Sequence, residues 1–127
     1  MEWWNKKMAI TREDIITYIS NKYEVSPEYT FAKFPKYCVF RHAENNKWFA
    51  LIMNVSKEKI YGKGKDKVDI IDLKVDPELI SILKGKKEYL SAYHMNKEHW
   101  ISVDLTEVRN VNELKNLIDD SFTLTKK

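Results

Sequence analysis

Two histidines, an amide, a tyrosine and a tryptophan fall within one short stretch, Tyr93, His94, Asn96, His99 and Trp100. Imidazoles exchange protons near neutral pH and ligate metals, while phenol, amide and indole groups orient a bound molecule. The set therefore suits a small-molecule site, which would take the form of a concave pocket lined by these side chains. A metal site is not expected. Zinc needs three or four protein ligands, but the chain has 3 histidines in all, His42, His94 and His99, with no His-x-His or His-Glu-x-x-His spacing. Cys38, the sole cysteine, sits in the apolar run Tyr37-Cys38-Val39-Phe40 and reads as a small buried hydrophobe. No serine stands in a Gly-x-Ser-x-Gly context. Asp69 and Asp72 lie three apart in a strand-like run, so they point to opposite faces and do not form an acid/base pair. No catalytic residue and no cofactor is assigned, and a binding protein is expected rather than an enzyme.

A second kind of chemistry is spread along residues 56–67. Lys57, Lys59, Lys63, Lys65 and Lys67 stand against Glu58 and Asp66, with Gly62 and Gly64 near the tip. Lysines on a basic loop suit contacts to a phosphate backbone without base readout. The Gly-Lys-Ser/Thr ending of a P-loop is missing. Arg41 and Lys47 on one predicted hairpin, and Asn96 and Lys97 on another, are further candidates for contacting nucleic acid.

Whole-chain composition narrows the classes. The 127 residues carry 43% hydrophobic and 13% aromatic side chains with only 3 glycines and 3 prolines, which suits one ordinary folded domain and argues against disorder. The net charge of +3 permits weak phosphate binding without requiring it. No apolar run approaches the ~18 residues that span a bilayer, and Met1–Met8 lacks the apolar stretch of a signal peptide. A cytoplasmic protein is expected, with no membrane partner and a monomeric or weakly dimeric state.

The elements that must position these groups follow from period and caps. Residues 1–10, with Trp3 and Trp4, are expected as a flexible arm, and residues 11–125 as a single domain. Thr11 with Asp14 starts a helix whose stripe is Ile15, Ile16, Ile19 and Tyr23. Residues 26–36 form a loop over the core. Tyr37–Arg41 and Trp48–Val55 make a hairpin, and the unbroken apolar character of Trp48-Phe49-Ala50-Leu51-Ile52-Met53 predicts a central strand covered on both faces. Residues 56–67 read as a mobile loop, and Val68–Val75 as a third strand. Asp76-Pro77 opens a short helix that Gly85 stops in the usual C′ role. A hairpin over Tyr89–Met95 and Trp100–Leu105 turns at Asn96–His99, with Trp100 in the core. Asn110 and Glu113 cap a last helix with Val111, Leu114, Leu117, Ile118 and Phe122 on one face. The order α-β-β-β-α-β-β-α gives an α+β two-layer sandwich, an antiparallel sheet with helices on one face.

Four blocks in this order carry a resemblance: Pro35–His42, Lys47–Met53, Val68–Lys74 with Asp76-Pro77, and Ala92–Ile101. Together they resemble the MmcQ/YjbR family of small bacterial proteins over about residues 11–125. Asp72 stands where the family more often has Asn, and Val75 where Cys is common. The resemblance implies a two-layer sandwich similar to secretion chaperones and to frataxin. It also implies a "double wing" contact with DNA, and no catalytic residues. The leading expectation is thus a DNA-contacting protein. The alternatives are a protein- or peptide-binding adaptor, or a small-molecule site at Tyr93–Trp100.

Overall fold

The computed structural model describes residues 10–127. The expected arm, Trp3 and Trp4 included, lies outside the described residues except for Ile10, which is buried in the core. Helix α1 (Arg12–Tyr23) starts as a complete capping box: the Thr11 hydroxyl accepts from the Asp14 N–H, and the Asp14 carboxylate accepts from the Thr11 N–H. Strands β1 (Cys38–Arg41) and β2 (Trp48–Ser56) form the first hairpin. A short helix α2 (Lys57–Tyr61) leads to β3 (Lys67–Lys74), then α3 (Pro77–Leu83). Strands β4 (Tyr89–Ser91) and β5 (Trp100–Asp104) are followed by a 3-10 turn and α4 (Val111–Leu124). The five strands are antiparallel in the order β1-β2-β3-β5-β4.

The two faces of the sheet bury different things. On one face Phe40, Ala50, Ile52, Ile71, Leu73, Ile101 and Val103 meet Ile15 and Ile19 of α1, Ile80 and Leu83 of α3, and Leu114, Leu117 and Ile118 of α4. On the other, Val39, Leu51, Met53, Val55, Val68 and Ile70 are covered by irregular chain: Phe31 and Tyr37 from the loop before β1, Ile60 from α2, and Tyr93 and Met95. The helices therefore lie on one face, and β2 and β3 are central and enclosed on both sides. Register skips one residue on β2. Phe40 faces Ala50 while Arg41 faces Trp48, so Phe49 is a bulge. Phe49 accordingly turns to the helix side, edge-on to Phe122 at 4.9 Å and to Tyr23 at 5.7 Å.

Polar groups fasten the helices at points where apolar packing alone would let them slide. The Ser121 hydroxyl of α4 donates to the Phe49 carbonyl at 2.6 Å and accepts from the Lys74 N–H at 2.9 Å, tying β2 and β3 to one side chain. Asp119 accepts from Tyr18 (2.9 Å), Tyr23 and Lys22 (2.7 Å), which joins α4 to α1. Burial works against this carboxylate's charge, but Lys22 and the two tyrosines hold its pKa below the ordinary value. Glu113 caps less than expected. Asn110 accepts from the Glu113 N–H, but the Glu113 carboxylate turns to Lys86 (2.7 Å) and the Tyr89 hydroxyl (2.6 Å), joining α4 to β4.

Three local expectations are corrected. Residues 56–67 are not all loop: Ser56 starts and Gly62, at φ +81°, ends the helix α2. Gly85 lacks the left-handed conformation of a C′ glycine; α3 closes instead through the Lys84 N–H to the Ile80 carbonyl at 2.9 Å. The second hairpin has no four-residue turn, because β4 ends at Ser91 and residues 92–99 form a longer loop. There the Tyr93 N–H donates to the Ser102 hydroxyl at 2.8 Å, and the Lys97 ammonium takes the Ala92 carbonyl at 2.8 Å, so side chains replace the strand ladder.

Replacing Ser121 with alanine leaves the Lys74 N–H without its acceptor inside the protein. The expected loss is about 1–3 kcal/mol in urea unfolding with an unchanged slope against denaturant.

Candidate functional site

Strand direction separates the candidate residues into two groups. The connector from Lys57 to Lys67 joins the end of β2 to the start of β3. The other end of β3, Lys74, faces Trp100, where the 92–99 loop enters β5. Trp48 at the start of β2 lies toward that same end, with the 42–47 turn beyond it. At about 3.3 Å per residue, β3 puts roughly 23 Å between the two groups. The Asn96–His99 turn and the lysine loop therefore do not form one surface, because one strand crosses the whole sheet between them.

At the connector end, Lys59, Lys63, Lys65 and Lys67 are exposed and Lys57 is half-buried beside Gly64. Among the described residues, none of the five is in an ion pair. The candidates at the other end are engaged. Arg41 is paired with Glu28 at 2.9 Å, the Lys47 ammonium donates to the Lys127 carbonyl, and Lys97 holds Ala92.

The Tyr93–Trp100 residues do not converge. Trp100 is buried in the core, and Tyr93 is half-buried on the second face. His94 is exposed, at φ +66°, with its ring 4.0 Å from that of Tyr93. The Asn96 side chain accepts from the Glu98 N–H (2.8 Å) and the His99 N–H (3.2 Å), which fixes the turn and leaves His99 outward. His42 is far from both other histidines in role. It is buried between Phe49 and Phe122 and bonded to the Thr125 hydroxyl at 2.8 Å, and burial lowers its pKa. Among the described residues, no group of three or more His, Cys, Asp or Glu side chains could hold a metal ion.

Behind the 92–99 loop sits Asp72, for which sequence reasoning found no role. Asp69 and Asp72 do point to opposite faces, Asp69 toward Arg12 of α1 and Asp72 into the interior of the other face. Asp72 is completely buried in the middle of β3, between Leu51 on β2 and Ser102 on β5. The Ser102 hydroxyl donates to its Oδ1, and Oδ2 has no hydrogen-bond partner among the described residues. Burial pushes its pKa up to about 8; the Ser102 bond and the Lys97 charge offset only part of that. The hydrogen bonds form one line, Tyr93 N–H to Ser102 to Asp72, so this carboxyl anchors the start of the loop. An acid between Ile71 and Leu73, on the same face as Val68 and Ile70, was the available signal.

A family model described as YjbR matches residues 20–124. The chain belongs to the YjbR family. An uncharacterized protein of Bacillus subtilis, YyaQ, is 45% identical over 117 residues, covering 92% of this chain and 99% of the relative. A crystal structure of a Pseudomonas syringae protein shares 48% identity with a TM-score of 0.89, covering 92% of this chain and all of that one. A Deinococcus radiodurans structure at 22% identity and TM-score 0.71, covering 94% of this chain and 80% of that one, shares the fold. The YjbR relationship thus supports the resemblance read from the four blocks, and the α+β sandwich with it.

Asp72→Asn tests the buried carboxyl. The folded-state pKa is raised, so the folded form holds a proton that the unfolded chain releases. Stability therefore falls as pH rises from about 4 to about 8, by on the order of 5 kcal/mol over the whole window. An amide matches the protonated acid in shape and charge. The variant is expected to be the more stable form at pH 7, and its melting temperature is expected to lose most of this pH dependence.

Proposed function

We propose that this YjbR-family chain is a non-enzymatic, cytoplasmic protein that contacts duplex DNA through the connector between β2 and β3. The observation that carries the proposal is the set Lys57, Lys59, Lys63, Lys65 and Lys67, which stands at one end of the sheet with no ion-pair partner among the described residues. Unpaired ammonium groups release counterions from phosphates on contact and read no bases. Helix α2 anchors the connector: Ile60 packs on the second face, and the Tyr61 hydroxyl donates to the buried Asp104. The lysines are thus held out on a base that does not itself need to fold on binding.

Arg41, Lys47, Asn96 and Lys97 are left out of this interface. Each is engaged within the protein, and all stand at the far end of the sheet. DNA contact is therefore narrower than a double wing, with one basic connector as the binding element. A peptide-binding adaptor has less support. Edge strand β1 is already bridged at Val39 by Glu28, and the other edge strand, β4, is three residues long. No helix among the described residues is long and apolar enough to cross a membrane.

Fluorescence anisotropy with a labelled duplex of arbitrary sequence tests the proposal. Affinity is expected to fall with salt at a logarithmic slope of about −0.9 per phosphate contact, up to about −4.5 for the five lysines. Replacing all five with glutamine is expected to abolish binding at low salt, and Arg41→Gln with Lys97→Gln to leave it unchanged. Duplex binding that survives the fivefold replacement, or that is absent from the unaltered protein at low salt, overturns the proposal.

A further inference from the structure

On the helix side of the sheet, near the connector end, α1, the loop before β1 and strands β2 and β3 leave an open cavity of about 430 Å³ between them. Arg12 and Glu13 come from the first turn of α1, Tyr29, Pro35 and Lys36 from the loop before β1, and Asn54 and Asp69 from β2 and β3. The volume falls in the ~300–1,000 Å³ range typical of small-molecule sites. None of the residues assigned to DNA contact lines it.

Arg12 is the unusual member. Its side chain is 12% exposed, yet Nη1 is buried without a hydrogen-bond partner among the described residues. The nearest anion is Asp69 Oδ1 at 3.6 Å, beyond hydrogen-bond range. The same oxygen accepts from the Asn54 amide at 3.0 Å, and the Arg12–Asp69 contact is an ion pair without a hydrogen bond. Nη2 reaches only the Cys38 sulfur, at 3.8 Å. A guanidinium removed from water and left this poorly paired is costly, and a charge-assisted partner would offset the cost. The fold does not need Arg12 to cap α1, since Thr11 and Asp14 do that.

The charges around the cavity decide what fits. Arg12 and Lys36 are cationic, and Glu13 and Asp69 are anionic, so the lining has no net charge. A phosphate dianion would meet two carboxylates with no excess of positive charge. A simple carboxylate would meet the two cations and bring nothing to Glu13 and Asp69. A small molecule carrying both signs offers a partner to both kinds of group. We propose that this cavity binds a zwitterion of the amino-acid type, its carboxylate toward Arg12 and Lys36 and its ammonium toward Glu13 and Asp69.

The test uses the full chain and the standard amino acids singly at millimolar concentration, followed by calorimetry and by amide spectra. Acetate, methylamine and inorganic phosphate serve as single-charge and phosphate controls. At least one amino acid is expected to bind saturably and to shift the Arg12, Asn54 and Asp69 amides, with each control at least about tenfold weaker. Lys36→Ala, at an exposed position, is expected to weaken binding about tenfold, and Arg12→Gln to abolish it. If Arg12→Gln fails to fold, Lys36→Ala decides. The proposal is overturned if no amino acid saturates, if acetate, methylamine or phosphate binds as tightly, or if Lys36→Ala retains full affinity.

Discussion

β3 is hydrogen-bonded to β2 along one edge and to β5 along the other, and side chains cover both of its faces. A strand in that position gives its central residues, Ile70 to Leu73, almost no access to water. Its sequence answers with Val68, Ile70, Ile71 and Leu73, and the ends are left to Lys67 and Lys74. Asp69 keeps some exposure beside Arg12 and Asn54, whereas Asp72 is buried completely. The fold accommodates it by keeping the proton on and by supplying one hydroxyl, from Ser102. The same hydroxyl receives the Tyr93 N–H, so the polar intrusion in the middle of the sheet is also what diverts the chain out of β4. Interior and surface are coupled there through a single side chain.

Where a residue's type is tied to a local rule, the sequence was informative. Thr11 with Asp14, Asp76 with Pro77, and the unbroken apolar stretch of β2 each placed an element correctly, because a cap or doubly buried strand leaves few alternatives. Helix α2 was missed because five residues are too few to show a period, although Ser56 and Gly62 mark its limits. The 92–99 loop was missed because the partners that replace its ladder, Ser102 and the Lys97 ammonium, are side chains rather than neighbours in a pattern. The histidines of that stretch looked like chemistry in sequence. In space Asn96 spends its amide on the turn, and Trp100 goes to the core. The surroundings of Arg12 were beyond sequence reading altogether, since Asn54 and Asp69 meet across two strands to face it.

The sheet also sets which surfaces can cooperate. The basic connector and the Arg12 cavity lie toward one end, on β2 and β3 within a few residues of each other. The 92–99 loop and the 42–47 turn lie toward the other end. Two partners engaging opposite ends would act on the same pair of central strands without touching one another.

The bulge at Phe49 bears on how this fold tolerates changes in chain length. Because one extra residue there carries a ring into the cluster of Tyr23, His42 and Phe122, removing it would not merely shorten β2. It would slide Trp48 by one place against Ala50 and exchange the inward and outward faces of the strand's first residues, at the point where Ser121 takes the Phe49 carbonyl. The residues between Gly62 and Asp66 face no such constraint, because they carry no core side chain. Insertions and deletions among relatives should therefore gather in the connector and avoid the bulge, even though the connector holds the residues that would meet a partner.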